Sequence, residues 1–129
     1  MKNIITVITI ILGFTSMINA QEIKKSMNDV TIISVEQTPR AFTQKQITVN
    51  AGTYIFEVAN NNVGKDVGFV LIAQGTDATN AENHIKEAYV TSVVKNNTKQ
   101  TSKEVILKKG TYNYFCPLNE TPLYTLTVN

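Results

Sequence analysis

One cysteine, Cys116, and one histidine, His84, occur among the 129 residues, and that scarcity excludes more than any motif does. A lone cysteine cannot close an internal disulfide, so the fold has to hold by its core. The same two residues leave no zinc-binding spacing. They offer one conceivable nucleophile and base, Cys116 with His84, and nothing in their spacing supports that pairing. No phosphate-cradling glycine loop is present. Charge of one sign is lacking as well: 12 basic side chains stand against 10 acidic ones, without the basic stripe that nucleic acid requires. Lysines gather only at Lys24-Lys25 and Lys108-Lys109, which read as solvated loop or edge positions rather than as a site for an anionic partner. A nucleic-acid partner is not expected, nor is an enzyme.

Long apolar runs are also missing, apart from Ile4 to Phe14. That run follows Lys2 and leads to Ile18-Asn19-Ala20, the layout of a secretory signal cut between Ala20 and Gln21. It falls short of the roughly 20 apolar residues that a membrane span needs. No cysteine stands just after the expected cut to carry a lipid anchor. Residues 1–20 are therefore expected to be a signal peptide and residues 21–129 a single domain, periplasmic or secreted, with no membrane span. Without Lys2, 11 basic residues face 10 acidic ones, a net charge of +1 with His84 neutral.

What is present is alternation with period two, broken by turn residues, the pattern of strands in an antiparallel sandwich or barrel. Strands are expected over Val30 to Val35, Phe42 to Val49 and Thr53 to Ala59, with Phe42, Ile47 and Val49 in the core and Tyr54, Phe56 and Val58 on one face. Val67 to Ala73 is apolar almost throughout, as for a central strand covered on both faces. Glu104 to Leu107, Thr111 to Cys116 and Leu123 to Val128 supply the last three strands of the sheet. Between these groups, Ala81, Ile85, Ala88 and Tyr89 recur at helical spacing behind Thr79 and Asn80, which predicts a short helix from about Ala81 to Tyr89.

Three segments in this order resemble the cupredoxins, the blue-copper proteins. Ile47 to Thr53 with Phe56-Glu57-Val58 resembles the strand, turn and strand ahead of the family's first ligand; Asp66 to Leu71 resembles the stretch that carries its histidine, and Leu107 to Pro117 the strand that runs into its cysteine. The resemblance implies an all-β, Greek-key cupredoxin-like β-sandwich, here with one short helix in the connection before the last three strands. It also implies ligand positions. Val67 stands at the first histidine, Cys116 at the cysteine, Asn119 at the second histidine, and Pro122 or Leu123 at the methionine. A blue-copper centre needs two imidazoles and a thiolate, usually with an axial thioether. This chain has one imidazole in all and no methionine after Cys116.

The binding positions carried over by the resemblance are thus Cys116, Asn119 and Val67. Valine suits a sheet and can fill the space of an imidazole. An asparagine amide is a poor partner for soft copper and a good one for backbone in a tight loop, and Pro117 and Pro122 stiffen that loop without metal. Cys116 has three readings: a buried core thiol, a reactive or paired thiol, or a metal ligand. His84 reads as an exposed residue on the polar side of the short helix, with coordination as its other role. Met27, the only thioether after residue 20, reads as part of an unordered terminus. Tyr112, Tyr114 and Tyr124 read as core packing, with a tyrosine-rich rim on a partner surface as the sharper idea. The sequons at Asn96 and Asn119 are frequent by chance.

These residues predict an exported domain with a degenerate copper site, serving as a non-catalytic binding or scaffold protein. Its contact surface is expected at Asn60 to Gly64 and Leu118 to Pro122, for a protein partner the sequence does not identify. No cofactor is expected. The alternative is a copper-binding or electron-transfer protein that uses Cys116 with ligands from His84 or a second chain.

Overall fold

A computed structural model describes residues 29–129. The expected signal peptide, its cleavage site, Lys24-Lys25 and Met27 lie outside the described residues. Eight strands follow one another: β1 Thr31–Thr38, β2 Ala41–Phe42, β3 Gln46–Val49, β4 Gly52–Asn60, β5 Val70–Ala73, β6 Lys99–Leu107, β7 Gly110–Phe115 and β8 Tyr124–Val128. They form two four-stranded sheets, ordered β2-β1-β4-β6 and β3-β8-β7-β5. The β1–β4 and β3–β8 pairs are parallel, so the sandwich is not antiparallel throughout. The last three strands do not share one sheet either, since β6 lies across the core from β7 and β8.

Alternation built the two inner faces. Ile33 and Val35 of β1, Tyr54, Phe56 and Val58 of β4, and Val105 and Leu107 of β6 meet Tyr114 of β7 and Leu126 and Val128 of β8 in one apolar cluster. An aromatic group fills its centre. Phe42 meets Phe69, Tyr114 and Tyr124 edge-on, with ring centroids 6.0, 5.1 and 5.7 Å away. Each large side chain taken wholly out of water contributes about 1.5–3 kcal/mol, so this group is a main source of cohesion. Tyr114 is 1% exposed, which makes it core and not part of a surface rim.

The strand expected over Phe42 to Val49 is broken at Thr43–Lys45, where the chain leaves one sheet for the other. Hydrogen bonds hold that crossing. Gln44 Oε1 accepts from the Glu36 amide at 2.8 Å, and the Gln44 carbonyl accepts from the Tyr114 hydroxyl. The expected central strand at Val67 to Ala73 also differs: β5 begins at Val70 and is an edge strand. Its two apolar faces have separate covers. Phe69 and Leu71 point into the main core, while Val70 and Ile72 form a second small cluster with Phe115, packed against Ala78 and Tyr89.

That outer cover is the connection between β5 and β6. The helix expected from Ala81 to Tyr89 is two single 3₁₀ turns, Ala81–Asn83 and Lys86–Ala88. Asn80 caps the first, its side chain accepting from the Glu82 amide at 3.0 Å. Between the turns, Ile85 donates to the Leu71 carbonyl at 2.9 Å and His84 bridges Ile72. Pairing with the β5 edge holds His84 and Ile85 extended and interrupts the helix. The chain then bridges back through Val67 and Val94, whose amides and carbonyls bond reciprocally at 3.0 and 2.9 Å.

Candidate functional site

Cys116 lies just past the end of β7, fully buried in the main core. Its Sγ accepts a hydrogen bond from the Gly68 amide at 3.3 Å. The Cys116 amide donates to Thr121 Oγ1 at 2.8 Å, and its carbonyl accepts from the Thr121 amide at 3.2 Å. Thr121 thereby closes the loop 117–122 on the cysteine. Val67, next to Gly68, is fully buried in the same cluster as Cys116.

Asn119 is 2% exposed although it sits in a loop. Its Nδ2 donates to the Thr38 carbonyl at 2.9 Å and to Gln37 Oε1 at 3.1 Å, while its Oδ1 accepts from the Arg40 amide at 2.9 Å. Gln37, fully buried, donates in turn from Nε2 to the Gly68 carbonyl at 2.7 Å. The chain of contacts is therefore Cys116, Gly68, Gln37, Asn119 and the turn at Thr38 and Arg40. Both carboxamides are oriented by backbone groups, since an amide N–H can only donate and a carbonyl can only accept. Arg40 occupies the left-handed region at φ 62°, a conformation that costs a non-glycine residue energy; Asn119 holds the turn there.

The structure thus gathers Val67, Cys116 and Asn119 at one end of the sandwich, and adds Gln37 and Gly68. His84 is elsewhere. Its ring meets Phe115 edge-on with centroids 6.2 Å apart, and Phe115 belongs to the outer cluster while its neighbour Cys116 belongs to the inner one. Nor is His84 an exposed residue on the polar side of a helix. It is half-buried, with Nδ1 2.6 Å from the Tyr89 hydroxyl and Nε2 2.8 Å from the Ala78 carbonyl. The carbonyl can only accept, so Nε2 carries a proton, and in the neutral ring Nδ1 accepts from the Tyr89 hydroxyl. Among the described residues, no three His, Cys, Asp or Glu side chains are grouped to hold a metal ion.

Gln37 lies beyond Val35, where the expected first strand stops, whereas β1 runs on to Thr38. Continuing the alternation Ile33, Val35, Gln37 would have pointed its side chain inward. On the surface beside the site, Leu118 is 47% exposed and lines a groove of about 330 Å³ together with Gly68, Val70, His84, Tyr89 and Pro117 among others.

No protein-family model matches the sequence, and neither does any curated protein. Solved structures do match. Auracyanin B aligns over 77% of this chain and 88% of its own, at 23% identity and a TM-score of 0.61. Auracyanin A, a blue copper protein from the green thermophilic photosynthetic bacterium Chloroflexus aurantiacus, aligns over 78% of this chain and all of its own, at 20% identity and a TM-score of 0.63. The reduced auracyanin of Roseiflexus castenholzii aligns over 78% and 98%, at 18% identity and a TM-score of 0.59. Likeness at this level of identity is likeness of fold. The chain has the cupredoxin β-sandwich.

Proposed function

We propose that this is an exported, non-catalytic binding or scaffold domain in which hydrogen bonds between side-chain amides and backbone do the structural work of a metal. The observation that carries the reading is the Gln37–Asn119 pair. A trigonal copper site takes two imidazoles beside its thiolate; here the thiolate position is Cys116, and around it stand an aliphatic side chain and two carboxamides that backbone groups already engage. This donor set does not fit a blue-copper centre. Among the described residues Cys116 is the one soft donor, and the only imidazole lies with the outer cluster and has both nitrogens engaged. That separation also supports a non-catalytic role: the groove that His84 lines reaches Gly68 and Pro117 beside the thiol, while Cys116 itself is fully buried and does not line it, and a nucleophile needs its base within hydrogen-bond reach.

The contact surface in this reading is the end of the sandwich where Leu118 and Leu123 are exposed, together with Asn61 to Gly64; Asn60, expected with them, is the buried last residue of β4. A loop tied at Cys116, Thr121 and Asn119 presents those leucines on a rigid base, which lowers the ordering cost of binding. Titration of the purified protein with copper(I) and copper(II), followed by visible absorption and chelator competition, tests the reading. No charge-transfer band and no tight stoichiometric binding are expected. Tight binding abolished by Cys116→Ser would overturn the scaffold reading in favour of a copper-handling protein that recruits ligands from elsewhere.

A further inference from the structure

Strand β6 is an outer strand of its sheet; the connection hydrogen-bonds only its first half, and the Lys86–Ala88 turn packs beside the strand without bonding the rest of it. Thr91 donates to the Thr101 carbonyl at 3.0 Å and Val90 bridges Ser102. A register shift follows, where Ser102 Oγ accepts from the Phe56 amide and donates to the Lys103 carbonyl. Beyond it, from Glu104 to Leu107, the strand makes no backbone hydrogen bond outside its ladder with β4 among the described residues. A groove of about 280 Å³, lined by Ile85, Glu87, Glu104, Val105 and Ile106, separates this edge from the nearby 3₁₀ turn. Here Val105 and Leu107 face the core, while Glu104 and Ile106 face solvent. Ile106 is 73% exposed, the highest value of any large apolar residue described. An open edge with an apolar side chain at its centre is a template for another strand.

We infer that two copies of this chain pair antiparallel through the Glu104–Leu107 edge of β6, joining two four-stranded sheets into one of eight. The sequence Glu104-Val105-Ile106-Leu107-Lys108 selects the second copy as occupant because it is complementary to its own reverse. Residues directly opposite in an antiparallel sheet share a face, so outward residues must meet outward residues. Centring the two-fold axis on Ile106 places Ile106 against its own mate, Val105 against Leu107, and Glu104 against Lys108 twice. Centring it on Val105 instead sets Glu104 against Ile106, and centring it on Glu104 opposes two carboxylates. Only the first register joins apolar to apolar and acid to base. Its unfavourable contact, Lys103 against Lys109, falls one residue further out than the Glu104–Lys108 pair, in which Lys108 is the first residue past the end of β6. Ile55, opposite Glu104, and Ile32, opposite Ile55, continue the apolar band on the same outer face. The interface is isologous and closes at two copies. Exposed ion pairs add little affinity, so the charges chiefly set register and the association is weak.

Sedimentation velocity of the purified protein across a wide concentration range at low salt tests this. A monomer–dimer equilibrium is expected. Glu104→Lys or Lys108→Glu alone should weaken it about tenfold, through two like-charge contacts. The double variant E104K/K108E should restore it, and Ile106→Lys should abolish it while leaving the far-ultraviolet dichroism of the fold intact. A protein that stays monomeric at every concentration overturns the inference. So does a dimer indifferent to these substitutions, or one that the double variant fails to rescue.

Discussion

Asn119 carries more structure than its place in a six-residue loop suggests. Through one carboxamide it joins the loop 117–122 to the β1–β2 turn and to the buried Gln37. Asn119→Ala leaves the Arg40 amide and the Gln37 carboxamide without that partner, and an unsatisfied buried group costs about 1–3 kcal/mol. A loss of stability in that range is expected in urea unfolding. Asn119→Asp should cost at least as much, since it sets an acceptor against two acceptors, the Thr38 carbonyl and Gln37 Oε1. That Asn119 suits backbone groups in a tight loop could be read from its amide chemistry. Its partners Thr38, Arg40 and Gln37 could not, because they lie about eighty residues away in the chain.

Among the elements, the connection between β5 and β6 departs furthest from its sequence pattern. The spacing of Ala81, Ile85, Ala88 and Tyr89 is helical, yet an isolated helix so short is marginal. Pairing of His84 and Ile85 with β5 outcompetes it. His84 then staples the connection over Phe115, with Tyr89 donating to one ring nitrogen and Ala78 accepting from the other. Tyr89→Phe keeps the ring and removes the donor, so a loss of about 1 kcal/mol is expected by thermal unfolding. His84→Ala should cost more, because it opens the contact with Phe115 as well. The break at Thr43–Lys45 has a similar origin. Period two survives on both sides of it, but a change of sheet is a tertiary event that leaves no mark in local alternation.

The whole molecule is held by a core that spans both sheets, and Tyr114 reports on it. Burial, with the neighbouring Tyr124 adding to it, pushes the Tyr114 hydroxyl up from its ordinary value of 10.0 to about 12. The folded protein therefore keeps this proton more tightly than the unfolded chain does, and the associated stability is complete below pH 10 and fades as pH rises toward 12. Urea midpoints should fall over that window, and the fall should shrink in Tyr114→Phe. The sequence by itself determined the strand-rich class, the inward face of β4, and the scarcity of metal donors, because side-chain period and residue counts are local properties. Only the tertiary structure decided which strands pair parallel, where the chain changes sheets, that His84 lies apart from Cys116, and that Gln37 and Asn119 meet. Those depend on contacts between segments far apart in the chain, which burial and hydrogen bonding choose together once the two sheets close.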